Sequence, residues 1–247
     1  MERCMPKTAI LVDGGFYSRR ANHAWGNISG RERADELVRY AKYHIVRNNR
    51  NRLEGDKRSL YRIFYYDCPP LNGRSVVQPW NGRQTTFGKS NPVYQRKSEF
   101  LTELSKRTKV AMRMGQIAKE KIRYVPKDQA MKDIMNGKRT YDQLGEDDFE
   151  IIGMKQTGVD MKIGIDVASL AQSRIVDQII LIADDTDFIP AIKVARRAGV
   201  DFLLDPMGNH VNNELRLQVD DIEDLHDSFR PAVTGTHARI TGIGTTH

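Results

Sequence analysis

The stretch Gln178-Ile179-Ile180-Leu181-Ile182-Ala183-Asp184-Asp185-Thr186-Asp187-Phe188 decides the fold. Its apolar run over residues 178–183 lacks polar alternation, the pattern of a strand covered on both faces in a parallel sheet. Three aspartates follow at its carboxyl end. Residues 188–198 then read as a helix stopped by Gly199, and residues 200–204 as a further strand ended by Asp205-Pro206. Strand, helix and strand in this order make a βαβ unit, and with it an α/β fold.

The same alternation extends towards the N-terminus. Residues 159–173 predict a helix with Ile163, Val167 and Leu170 on its apolar face. Residues 7–13 predict a first strand, Ala9-Ile10-Leu11-Val12, ended by Asp13-Gly14-Gly15 as a turn. Residues 31–47 predict a helix, with Ala34, Leu37, Val38, Ala41 and Ile45 at helical spacing; 48–57 read as a loop and 60–66 as a second strand. Residues 69–150 follow another rhythm and read as an insertion: a loop-like start, a helix at 94–105, a strand at 110–117 and a polar, weakly helical stretch at 127–150. Residues 212–229 predict a last helix. The expected organisation is one domain over 1–230, with that insertion, and a flexible Gly- and Thr-rich tail at 231–247.

The 247 residues suffice to bury a real core. No apolar run approaches the about 20 residues that cross a bilayer, and the start lacks a signal-peptide pattern. A cytoplasmic chain without a membrane partner is expected, with Cys4 and Cys68 as reduced thiols and no cysteine-built zinc site. The six histidines form no ligand pattern; His44 and His210 are expected at the surface or behind a site. The net charge of +7 favours a polyanionic partner. Its distribution is uneven: residues 106–127 carry eight Lys and Arg against Glu120 alone, whereas 201–227 carry eight acids against Arg216.

Ligands of open parallel sheets bind at the carboxyl ends of the strands. Asp13 ends one strand and Asp184, Asp185 and Asp187 follow another, so both groups should face one crevice. Asp160, near the start of the 159–173 helix, can reach the same rim; Asp166 is a further candidate six residues on. Two carboxylates at about 4 Å repel by about 1–4 kcal/mol. A cation resolves that repulsion, and oxygen-only ligands suit Mg²⁺ or Mn²⁺. Such an ion can polarise a phosphodiester and activate water, while Lys and Arg hold the backbone. Each aspartate also has a plainer use, as a helix cap or a turn former.

Three motifs in order resemble the NYN domain family, in its LabA-like bacterial branch of the PIN-like nucleases. They are Ile10-Leu11-Val12-Asp13-Gly14-Gly15-Phe16-Tyr17, Lys155-Gln156-Thr157-Gly158-Val159-Asp160-Met161-Lys162-Ile163-Gly164-Ile165-Asp166, and Leu181-Ile182-Ala183-Asp184-Asp185-Thr186-Asp187-Phe188-Ile189-Pro190. Leu60 to Pro70, LYRIFYYDCPP, is also similar to the bacterial branch. The resemblance implies a doubly wound, mainly parallel α/β fold, PIN-like or Rossmann-like, and a Mg²⁺- or Mn²⁺-dependent nuclease, an endoribonuclease with RNA favoured over DNA. It carries catalysis and metal binding onto Asp13, Asp160, Asp185 and Asp187, with Asp166 and Asp184 as additional candidates. Two departures stand out. Phe16 occupies a position where many members have Asn, and Asp184 replaces a usual Gly. Lys155, Lys119, Lys121 and Arg123 are expected to bind nucleic acid, and a homo-oligomer is compatible with this reading.

The alternative is a catalytically silent nucleic-acid or protein binding module on the same fold. A haloacid-dehalogenase-type phosphatase needs Asp-x-Asp after the first strand, where this chain has Asp13-Gly14-Gly15. A Toprim domain needs a glutamate where Asp13 stands.

Overall fold

The computed structural model describes residues 5–117, 122–152 and 156–232. The chain opens with β1 (Lys7–Asp13), α1 (Gly14–Trp25), α2 (Gly30–Asn49) and β2 (Ser59–Asp67). A hairpin, β3 (Arg74–Val77) and β4 (Gln84–Phe87), precedes α3 (Pro92–Ser105) and β5 (Val110–Met114). Then come β6 (Gln116–Ile117), β7 (Arg123–Pro126), α4 (Asp128–Met135), β8 (Phe149–Ile152) and β9 (Gln156–Thr157). The last third holds α5 (Val159–Gln172), β10 (Gln178–Ile182), α6 (Ile189–Arg197), β11 (Asp201–Asp205), α7 (Asn213–Arg216) and β12 (Asp221–Ile222).

Six strands form one sheet in the order β12-β11-β10-β1-β2-β5, and every pairing is parallel. Alternate side chains of the central strands point to opposite faces. Ile10, Val12, Ile180 and Ile182 pack on Phe16 and Tyr17 of α1, Leu37 of α2 and Phe100 of α3. Ala9, Leu11, Ile179 and Leu181 pack on Ile163 and Val167 of α5 and Ile192 of α6. Both faces are therefore covered, as the unbroken apolar run in β10 predicts, and the fold is a doubly wound α/β sheet. From β1 the chain winds outwards to β2 and β5, then returns to β10 on the other side. The boundary between β1 and β10 is thus where the winding direction reverses, and the crevice outside such a point is where these folds bind ligands.

Three expectations need correction. Asp13-Gly14-Gly15 does not turn away from the sheet but starts α1: the Asp13 side chain accepts from Phe16 N at 3.1 Å and caps the helix. Residues 212–229 are not one helix. After four helical residues the chain pairs with β11 instead: Asp220 N donates to Phe202 O at 2.8 Å, and Asp220 Oδ2 accepts from Phe202 N at 2.8 Å. His44 is not at the surface; it is fully buried, bonded to Asp205, the last residue of β11, at 2.8 Å and to Glu223 at 3.0 Å. His210 is exposed.

Within residues 69–150 the elements divide. α3 packs against α2, and β5 is the edge strand of the main sheet. α4, β7 and β8 surround a small separate cluster of Ala130, Leu144 and Phe149 with Trp80 and Tyr124.

Candidate active site

The rim outside β1 and β10 collects acids because of how its elements begin. The cap that Asp13 provides for α1 fixes its carboxylate at the end of β1, half-buried. α1 can start this close to the sheet only because residue 14 is glycine: a Cβ there would stand 2.4 Å from the Tyr65 ring and 2.7 Å from Tyr66 O. Asp185 caps the 3-10 turn Thr186–Phe188, accepting from Asp187 N at 2.9 Å. Asp160 lies in the first turn of α5, whose cap Gly158 has φ +78°, a left-handed conformation that suits glycine.

These carboxylates act on one another. Partial burial pushes Asp160 above the ordinary carboxylate range, and the charges of Asp185 and Asp187 push it the same way. Burial likewise raises Asp13; the Phe16 and Gly15 N–H groups and Arg19 oppose that rise, and the Asp160 charge adds to it. Asp13, Asp160, Asp185 and Asp187 thus share one electrostatic neighbourhood at the reversal point. Among the described residues, no three His, Cys, Asp or Glu side chains stand together as a ready-made metal cage.

Asp184 and Asp166 are engaged elsewhere. Asp184 accepts from Asn209 Nδ2 at 2.7 Å. Asp166 accepts from Tyr66 Oη at 2.8 Å and Arg113 Nε at 2.7 Å, facing β2 and β5. Of the cations expected to bind nucleic acid, Lys119, Lys121 and Lys155 lie outside the described residues. Arg123 is exposed on β7, opposite Ile152 of β8. Several other cations of the 106–127 run are already paired: Lys106 with Glu103 at 2.7 Å, Arg107 with Asp35 at 2.8 Å, and Arg113 with Asp166.

Sequence reasoning missed the neighbouring part of the rim. Asp67 ends β2 as Asp13 ends β1, and that strand-end position was its signal. It is buried and takes bonds from Tyr65 Oη at 2.9 Å, Cys68 N at 2.6 Å and Lys97 Nζ at 2.8 Å. Beside it opens a cleft of about 340 Å³ lined by Gly14, Gly15, Arg19, Arg96 and Lys97. No sequence pattern links Arg19 of α1 to Arg96 of α3.

The NYN domain model matches residues 91–226, which include Asp160, Asp185 and Asp187. That is more than half of the chain, and the chain belongs to the NYN domain family, a nuclease-type domain. A crystal structure of a protein of unknown function from Vibrio parahaemolyticus aligns with 14% identity over 93% of this chain and 99% of that one, at a TM-score of 0.46. That likeness is too distant to carry an argument. No curated protein matches. No helix among the described residues is long and apolar enough to cross a membrane.

Proposed function

We propose that this chain is a divalent-metal-dependent endoribonuclease of the LabA-like branch of PIN-like nucleases, cutting RNA in preference to DNA. The observation that carries the reading is the placement of four aspartates at the reversal point of the sheet: Asp13 ends β1, Asp185 and Asp187 follow β10, and Asp160, in the first turn of α5, lies within reach of the charges of Asp185 and Asp187 and acts on Asp13. A protein that retains such repulsion gains from a cation there. The donor set is carboxylate oxygen without Cys or His, which fits Mg²⁺ or Mn²⁺ by chemistry. Those four aspartates would hold the ion. When bound, it would supply charge neutralisation and polarisation of a scissile phosphodiester.

The chain's own groups divide the remaining work. The backbone N–H groups of Phe16 and Asp187 hold Asp13 and Asp185 in place. Arg19 faces Asp13 across Gly15: a Cβ on that glycine would stand 3.4 Å from Asp13 Oδ1 and 3.8 Å from Arg19 Nη1. That guanidinium is placed to meet a phosphate beside the acids. Asp184, bonded to Asn209, shapes the turn from behind. Residues 1–230 act as one domain, and Lys119, Lys121, Arg123 and Lys155 add backbone contacts. A cytoplasmic setting accords with the free, buried thiol of Cys68.

The test is incubation of the pure protein with labelled single-stranded RNA and DNA, with Mg²⁺, Mn²⁺ or chelator. Internal cleavage of RNA that needs the ion supports the proposal. Binding without cleavage under every condition supports a silent binding module instead.

A further inference from the structure

We infer that the rim beyond Asp13 is a track for single-stranded nucleic acid that ends in a pocket for one unpaired base. The inference rests on the nuclease reading and adds to it a second subsite, a pocket that takes one base.

Two cavities lie side by side past β1. The first is the cleft of about 340 Å³ that begins at Gly14 and Gly15, next to Asp13, and is lined by Arg19, Arg96 and Lys97. Neither Arg19 nor Arg96 makes a side-chain hydrogen bond or salt bridge to the described residues, so both guanidinium groups remain available for an anion. Lys97 gives one bond to buried Asp67, and among the described residues its other two donors have no hydrogen-bond partner. The second cavity, of about 330 Å³, is apolar, with Phe87, Tyr94, Leu71 and the Pro69-Pro70 pair in its walls. Val93 and Lys97 belong to both.

The pairing of these cavities selects the occupant. A planar, largely apolar group fills the second while an anionic link lies over the first, and a nucleotide within a strand has both parts. Aromatic side chains accept bases of any sequence by stacking, and cations follow the backbone. A duplex offers a base to a side cavity only by flipping it out of the stack, which costs a few kcal/mol, so a single strand is the favoured occupant. The acids, the cations and the apolar cavity follow the strand ends of β10, β1 and β2 in sheet order, so a strand can run along the rim from cleavage site to base pocket.

The experiment measures binding of a single-stranded RNA of about 12 nucleotides, of its duplex, and of a set of the same strand with one abasic position each. Asp185→Asn protein is used to prevent turnover, and cleavage by the unaltered chain is assayed in parallel. We expect one abasic position to weaken binding about ten-fold, and Tyr94→Ala to abolish that difference while weakening the intact strand by the same factor. Arg96→Gln should weaken intact and abasic strands alike. A folding defect in Tyr94→Ala would depress both strands together, and the abasic scan on protein with Tyr94 intact then decides. Equal affinity at every abasic position, with cleavage intact, overturns the base pocket and leaves the nuclease reading standing. Equal binding of duplex and single strand overturns the track. Absence of both binding and cleavage overturns the nuclease reading and this inference with it.

Discussion

Asp166 Oδ2 and Arg113 Nε lie 2.7 Å apart, and that pair separates two aspartates of one helix. Asp160, six residues earlier on α5, is acted on by the like charges of Asp185 and Asp187. The two should respond oppositely to the same substitution. Asp160→Asn should lower RNA cleavage by about 100-fold or more, about 2.7 kcal/mol of barrier, with a melting temperature in chelator equal to or above that of the unaltered chain. Asp166→Asn should keep most activity but lose stability of about 1 kcal/mol or less, because its ion pair is partly exposed. Thermal melts beside cleavage rates check both; activity lost with Asp166→Asn at unchanged stability would move that residue into the site.

Ion dependence follows from the same repulsion. With chelator, cleavage should fall to background, and Mg²⁺ or Mn²⁺ should restore it. The ion should also raise the melting temperature, since it binds the folded chain and not the unfolded one. Asp13→Asn and Asp185→Asn should each remove most of that rise. A rise that persists in both variants would place the ion elsewhere.

Gly14→Ala tests how α1 is fitted to the sheet. Its Cβ would stand 2.4 Å from the Tyr65 ring and 2.7 Å from the Tyr66 carbonyl oxygen. The helix start must move, at about 1–3 kcal/mol, a usual range for overpacking, and Asp13 moves with it. Stability and cleavage should therefore fall together, whereas Asp13→Asn should lose cleavage alone. Urea midpoints with rates at saturating substrate distinguish the two patterns.

Much of this site is legible in the sequence because it depends on strand ends. The apolar runs Ala9–Val12 and Ile179–Ile182 are buried on both faces, and acids directly after them can only lie on the carboxyl rim. Asp67 obeys the same rule, but Pro69, Pro70, Asn72 and Gly73 behind it read simply as a stop. The cleft of Arg19, Arg96 and Lys97 is not legible, since it depends on how α1 and α3 approach one another. The excess of positive charge in 106–127 misleads in part: Asp35 and Asp166, far away in the chain, neutralise Arg107 and Arg113. The helix expected at 212–229 fails because polar periodicity there says nothing about a free sheet edge at β11.

His44 gives a pH dependence of stability. Burial opposes its charge, but hydrogen bonds and charges from Asp205 and Glu223 outweigh that and push its pKa up to about 9. Tyr40 Oη also donates to Asp205, at 2.5 Å. The folded value lies above the unfolded one, near 6.5, so the protonated network contributes fully below pH about 6.5 and is lost as pH rises through about 9. The contribution is of order 1–3 kcal/mol. Urea midpoints from pH 6 to 9.5 should show the unaltered chain losing more stability than His44→Gln over that window. A constant difference between the two would mean that His44 is neutral when buried.

The run that holds Lys119, Lys121 and Arg123 sets eight cations against Glu120 alone. Neutralising Lys119, Lys121 and Arg123 together should weaken RNA binding equally for unrelated sequences. It should also flatten the dependence of log affinity on log salt by about 0.7 to 0.9 for each phosphate that the protein no longer neutralises. Arg107→Gln is the control: its guanidinium is paired with Asp35 at 2.8 Å, so removing it should leave the slope as it was. Turnover at saturating substrate should change little in either variant, because the acids at the reversal point are untouched. RNA titrations at two salt concentrations read both slopes. If the triple variant keeps its slope, the segment does not touch nucleic acid; if Arg107→Gln loses slope, the Asp35 pair opens on binding.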